Sequence, residues 1–514
     1  MQNIPLLSLL IALPFVTAVL IGIAPAKSAR TIALLGSLVT FLLSLPLLGV
    51  ASVAPAAGFA FEQNAVWLPN VHVNYHVGVD GASALLVLLS TFLQVFAAAY
   101  SQENIKNRVK EYYVFLMALE GALIGAFCSL DLILFYVFFE ISLVPVYFLI
   151  GIWGGKNRVA AGTKFFVYTV VGSLLMLASI IALYLRAGSF DLLAVKQVLV
   201  DLPPTSTTAL LLFTGFALAF AVKTPLFPFH TWLPDAYAES PIACTVLLSG
   251  AMAKLGTYGF YRFCLFLFPE ASYQAAPVIV TLAVVGIIYG ALVAAVQRDI
   301  KRVIAYSSVS HLGFVVLGLF SFAGSGQIVP QALTGALLQS INHGITAGAL
   351  FLIVGIIETR RGTRRINELG GLWEQMPVFG RLFLIVTLSS IALPLTNGFV
   401  GEFLILLGSF QAFPLAAAIA TTGVIWSAVY MLWMFQRVMY GPVDNSATRR
   451  LRDLNGGEIA LLVPFVILIF VFGLFPTLFS KGLNLTPTGT PPGVATAAIA
   501  AGSPETSAVT QEQP

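Results

Sequence analysis

The sequence predicts an all-α polytopic membrane protein of about 14 transmembrane helices, and three observations carry that prediction. Of its 514 residues, 58% are hydrophobic and 9% charged, at a mean hydropathy of +0.93. Soluble globular chains do not sustain that balance. Apolar runs long enough to cross a hydrocarbon core of roughly 30 Å, at about 20 residues per helix, recur with short polar gaps between them. The basic residues crowd into alternate gaps, as they do where loops alternate sides of a bilayer.

In order, the runs cover 4–24, 31–53, 82–101, 112–129, 131–152, 166–186 and 208–234, then 243–266, 274–296, 302–322, 331–357, 380–409, 413–436 and 457–479. The first resembles a secretory leader, because "APAKSA" follows it, but "MQNIP" ahead of it holds no Lys or Arg. It reads as a spanning helix. The fourth and fifth are separated only by "SLD" at 129–131. Cys128, Cys244 and Cys264 lie in or beside spans without metal-ligand spacing and read as small core residues. Residues 481–514, rich in Pro, Ala, Thr and Gly, read as a disordered tail.

The gaps near 25–30, 102–111, 154–165, 297–302, 358–381 and 437–456 hold 20 of the 26 Lys and Arg. The alternate gaps and the tail hold only Arg186, Lys196 and Lys481. The rich side is therefore expected in the cytoplasm, with both termini outside. The net charge of +4 reflects topology and gives no reason to expect nucleic acid.

Lys223, Lys254 and Arg262 remain inside the spans. Arg262 is near enough to a helix end to snorkel. A lysine at membrane depth costs at least about 2.5–3.5 kcal/mol, so the other two need partners. Glu140 in "LILFYVFFEISLVPVYFL", Glu402 in "LPLTNGFVGEFLILL" and Glu120 in "VFLMALEGALIGAF" are the acidic candidates at similar depth. His311 in "SSVSHLGFV" and His343 in "LQSINHGITAGALF" add groups that change charge near neutral pH. A lone buried Glu or His is often a packing device satisfied by its neighbours, which is an equal reading for Glu120 or His343 taken singly. The set with Lys223, Lys254, Glu140 and Glu402 has the composition of a proton relay, because moving a carboxylate changes whether a buried lysine holds its proton.

Two spans are interrupted. "KTPLFPFHTWLP" breaks the seventh at Pro225, Pro228 and Pro234, and "LPLTNGF" breaks the twelfth at Pro394 and Gly398. Broken helices at membrane depth are tolerated where they face protein or a water-filled cavity. The two interrupted spans are five helices apart, so a five-helix repeat would place them in opposite orientation. This divides the chain into helices 1–3 (1–110), a first repeat (111–268), an inverted second repeat (269–440), a last helix (441–480) and the tail.

Several stretches are similar to a known family: "GVDGASALLVLL" (78–89), "FFEISLVPVYFLIGIWGG" (138–155), "FALAFAVKTPLFPFHTWLPDA" (216–236), "AYSSVSHLGF" (305–314) and "LPLTNGFVGEFLILLGSF" (393–410). Together they resemble the antiporter-like membrane subunits of respiratory complex I and the related NDH complex, and among these the subunit M type. The resemblance implies fourteen helices, two inverted five-helix repeats, broken helices 7 and 12, and no cofactor or metal. It implies a proton-translocating subunit of an NADH-, NAD(P)H- or ferredoxin-quinone oxidoreductase that performs no redox chemistry itself. Its partners would be other membrane subunits and, indirectly, peripheral Fe–S subunits, in a bacterial inner membrane or a cyanobacterial thylakoid. By resemblance Glu140 pairs with Lys223, Lys254 is the central lysine, Glu402 the terminal site, and His311 and His343 connect them. The implied path runs from Lys223 to Lys254 and out through Glu402, driven by motion of Glu140. Departures are "ESPIACTVLLSG" before Lys254, where relatives have "APTAGS", and "LPLTNG" in place of "LPGTGN" or "LPGMSG". A subunit of a multisubunit Na+/H+ antiporter (Mrp type) is the alternative. A scaffold and a solute transporter are further readings; the line of titratable groups favours neither.

Overall fold

The structure is a computed structural model that describes residues 5–52, 58–201, 203–440, 449 and 451–483. Helices α1 (Leu6–Ile23), α2 (Ala29–Ser44) and α3 (Leu47–Ser52) lead into a hairpin of β1 (Ala60–Leu68) and β2 (Val73–Val79). There follow α4 (Gly81–Asn104), α5 (Val109–Cys128), α6 (Leu132–Ile141), α7 (Leu143–Trp153), α8 (Arg158–Ala187), α9 (Leu192–Asp201), α10 (Ser206–Lys223) and α11 (Trp232–Glu239). Then come α12 (Ile242–Leu247), α13 (Lys254–Gly259), α14 (Pro269–Ala295), α15 (Ile300–Leu319) and α16 (Pro330–Arg361). The chain closes through α17 (Leu372–Gln375), α18 (Pro377–Ser390), α19 (Asn397–Ala412), α20 (Pro414–Met439), α21 (Gly456–Leu474) and α22 (Thr477–Ser480).

Eleven helical stretches among the described residues are long and apolar enough to cross a membrane. Three predicted spans fall instead on interrupted helices: 31–53 on α2 and α3, 243–266 on α12 and α13 with π-helical turns at Leu248–Met252 and Phe260–Leu265, and 380–409 on α18 and α19. The seventh predicted span stops as a helix at Lys223. At the centre, the most apolar stretch of α16 is wholly buried by the surrounding helices.

Loop contacts sort into two faces. On one, Arg30 donates to the Ile105 carbonyl at 2.7 Å, Trp153 to that of Asn107 at 2.8 Å, and Arg364 to that of Ala238 at 2.9 Å. Asp235 there joins Lys164 at 2.8 Å to Arg302 at 3.1 Å. These are the basic gaps of the sequence, brought together. On the other face Ser8 meets Gln63 at 2.5 Å, His76 meets Asp191, and Gly482 packs on Ala51 and Gly81. The described chain thus begins and ends on the hairpin face.

Asp131 caps α6, accepting from Ile133 N at 2.9 Å and Leu134 N at 3.0 Å, while the backbone beside it pairs with residues 190–192. Asp299 caps α15 in the same way, accepting from Lys301 N at 2.8 Å and Arg302 N at 3.3 Å, beside backbone pairing with residues 364–366. An N-cap carboxylate satisfies donors that a helix start leaves unpaired. One clip lies on the hairpin face and the other on the basic face.

The all-α membrane class holds, with one addition the sequence reading missed: β1 and β2 pair antiparallel, with Asn64 opposite His76, and their signal was the period-two pattern of Val73, Tyr75, Val77 and Val79 after a Pro–Asn turn. Two expectations need correction. Arg262 does not snorkel. It is 5% exposed and paired with Asp80, the N-cap of α4, because an ion pair inside costs less than an unpaired guanidinium. Of the predicted tail, Lys481–Leu483 forms a helical turn with Leu483 buried; residues 484–514 lie outside the described residues.

Candidate proton-relay site

Lys223 is the last residue of α10, fully buried, where prolines stop the helix. Trp232 Nε1, from the far side of the break, donates to the Val222 carbonyl at 2.8 Å and so satisfies a group that the interruption frees. The Lys223 ammonium makes no hydrogen bond to the described residues. It sits 4.5 Å from the ring centroid of Phe139 and 5.9 Å from that of Phe165. A desolvated cation over an aromatic face gains about 2 kcal/mol. Next to Phe139 on α6 is Glu140, the carboxylate that acts on Lys223 electrostatically. Glu140 is only half-buried and lies beside the exposed Ile141 and Val144, and its Oε1 takes no hydrogen bond from the described residues.

Lys254 opens α13 directly after a π-helical turn. Such a turn frees carbonyls from the helical ladder, and Lys254 Nζ donates to one of them, Ser249 O. Its second partner is His343 Nδ1 at 2.7 Å. The sequence led to an expectation of a carboxylate, but here an imidazole and a backbone carbonyl hold the lysine. Two residues on, Gly256 lies against the break in helix 7: a Cβ there would stand 2.1 Å from Thr224 Oγ1 and 2.5 Å from Thr224 N. Only glycine permits that approach.

Glu402 on α19 is buried, and its Oε1 accepts from His311 Nδ1 at 2.7 Å and from Gln339 Nε2 at 3.0 Å. The His311 and His343 rings lie 5.9 Å apart between centroids. Lys254, His343, His311 and Glu402 therefore form one buried array, and Glu140 with Lys223 forms a second, joined to it through the Thr224–Gly256 contact. Glu120, on α5, is buried, neither of its oxygens bonded to a described residue.

The sequence reading missed the amides. Asn397 at the start of α19 exchanges hydrogen bonds with Asn342 on α16: Asn342 Nδ2 donates to Asn397 O at 2.7 Å, and Asn397 Nδ2 to Asn342 O at 3.2 Å. Gly398, whose Cβ would meet Ser389 O at 2.3 Å, lets the break close. Polar amides within "SINHG" and "TNG" were the available signal.

The sequence matches the family described as "NADH:quinone oxidoreductase/Mrp antiporter, TM" over residues 129–427. It is 42% identical to NADH-quinone oxidoreductase subunit M of Rhodobacter capsulatus, over 93% of this chain and 94% of that one. The structure resembles a chain of respiratory complex I from Thermus thermophilus at TM-score 0.85 and 35% identity, covering 94% of this chain and 98% of that chain. A chain of the Mrp complex from Dietzia sp. shares the fold at TM-score 0.77 and 22% identity, with 93% of this chain covered and 51% of that one. This multi-pass membrane chain belongs to the NADH:quinone oxidoreductase/Mrp antiporter membrane family, and within it to the subunit M type.

Proposed function

We propose that the chain is the subunit M component of a proton-translocating NADH-quinone oxidoreductase, and that it moves protons without redox chemistry or cofactor of its own. Electron transfer then belongs to partner subunits, which act on this one through the Glu140–Lys223 pair. Lys223 hands its proton toward Lys254, which passes it by His343 and His311 to Glu402. The basic face is cytoplasmic, in a bacterial inner membrane or a cyanobacterial thylakoid, and both chain ends lie on the other side. The observation that carries the reading is the buried array Lys254–His343 and His311–Glu402, each pair at 2.7 Å. Titratable groups in hydrocarbon are costly, and mark ion pathways where they line up. Among solved structures, identity of 35% to the chain of respiratory complex I against 22% to the Mrp chain favours this reading over the antiporter one.

The test is electron-transfer-driven proton uptake into inverted vesicles carrying Lys223→Ala, with assembly checked on a native gel. Uptake is expected to collapse in the assembled complex; wild-type uptake would refute the relay.

A further inference from the structure

The Lys254–His343 and His311–Glu402 pairs are not hydrogen-bonded to each other among the described residues. Between them lies a cavity that offers about 20 Å³ to the centre of a water molecule, above the roughly 10–15 Å³ that one water needs. His311, Gln339, Asn342, His343, Thr346 and Ser389 are on its walls. Three buried atoms of these walls, His311 Nε2, Gln339 Oε1 and Asn342 Oδ1, take no hydrogen bond from the described residues. Buried polar atoms are nearly always partnered, by protein or by ordered water.

Asn342 is 1% exposed, and its amide is fixed from its other end by the bond from Nδ2 to Asn397 O. His343 uses Nδ1 on Lys254 and His311 uses Nδ1 on Glu402, so on both rings Nε2 is left for a further partner.

We propose that this cavity holds one water and that Asn342 is its positioning residue, so that the proton crosses from His343 to His311 through it. The inference rests on the relay reading above. Asn342 Oδ1 accepts one hydrogen of the water and aims the other at His311 Nε2, which leaves a lone pair toward His343 Nε2–H. Lys254 gives a proton to His343 Nδ1, and His343 gives its Nε2 proton to the water. The water gives one of its own to His311 Nε2, and His311 gives its Nδ1 proton to Glu402. One proton leaves Lys254 and one arrives at Glu402, and each imidazole ends in its other tautomer.

The test uses the assembled complex. A high-resolution experimental structure should show one ordered water within hydrogen-bond distance of Asn342 Oδ1; no density there overturns the proposal. Asn342→Leu should slow coupled proton uptake about tenfold, the equivalent of one hydrogen bond lost from the transfer path, and raise the H2O/D2O rate ratio. Asn397→Ala, which loosens the same break but spares Asn342 Oδ1, should leave that ratio unchanged. If Asn342→Leu does not assemble, Asn342→Ala is read the same way. Wild-type uptake, or a loss with an unchanged isotope ratio, overturns the positioning role. Lys254→Ala separates the two ideas: if it pumps normally the relay reading fails, whereas if it is dead and Asn342→Leu is not, only the water fails.

Discussion

The two halves solve the same problem, a charge inside the membrane, by different means. In the first, Lys223 is held by the face of Phe139 and by the field of Glu140, with no hydrogen bond to the described residues. In the second, Glu402 is held by direct bonds to His311 and Gln339. Field and ring change gradually with distance, whereas a hydrogen bond is lost within a few tenths of an ångström. The first half is therefore suited to being perturbed and the second to holding what it receives.

Glu140→Gln should break that contrast most visibly. It leaves a buried ammonium without the carboxylate whose field offsets its burial, so complex yield on a native gel should fall and proton uptake vanish. Adding Lys223→Met should restore yield but not uptake. Glu402→Gln retains a group that can bond His311 and Gln339, and should assemble at near wild-type yield. Equal yields for the two glutamine variants would erase the distinction. A smaller effect is expected at the clips. Asp131→Ala and Asp299→Ala each lose a cap worth about 1 kcal/mol, and hydrogen exchange should quicken in the first turn of α6 and at Asn74, which donates to Asp131 at 3.1 Å, or in the first turn of α15. Spread from one clip to the other would show that the halves are not separate units.

The smallest effect concerns pH and should appear at the hairpin. His76 Nε2 meets Glu62 at 2.8 Å, and Nδ1 meets Asp191 beside the Asp131 clip. Burial disfavours its charged form, but the bonds to Asp191 and Glu62 outweigh it and hold the imidazole above its ordinary 6.5. Burial likewise pushes the Asp191 carboxyl up, but the bond to His76 prevails and keeps it below the usual range. A raised histidine stabilises fully below its unfolded value and loses that contribution as pH rises through the folded one. The Asp299 clip is held instead by Arg364, 3.3 Å from Asp299 and 3.6 Å from Glu358. From about pH 6 to about pH 9, hairpin amides should lose protection, corrected for intrinsic exchange. His76→Asn should abolish the loss.

The spans were legible because each must be apolar over its whole length, and the breaks because proline and glycine announce them. Lys223, Lys254, Glu140 and Glu402 stood out because a charge in an apolar run is costly wherever it sits. What escaped was pairing. Arg262 and Asp80 are 182 positions apart, and Lys254 and His343 are 89 apart, so no local pattern joins them. Ser249 O becomes an acceptor only through a π-helical turn, which leaves no mark in composition. Gln339, Asn342 and Asn397 carry no charge, and their burial raises no alarm until their partners are seen.

The contact at Gly256 has a mechanical consequence. With no room for even a methyl group between it and Thr224, the stump of helix 7 and the start of α13 behave as one stiff joint. Lys223 and Lys254 ride on its two arms, so their backbones cannot be ratcheted apart to interrupt the path. In the proposed relay, gating then falls to parts outside the joint: the half-buried carboxylate of Glu140, or solvent that comes and goes.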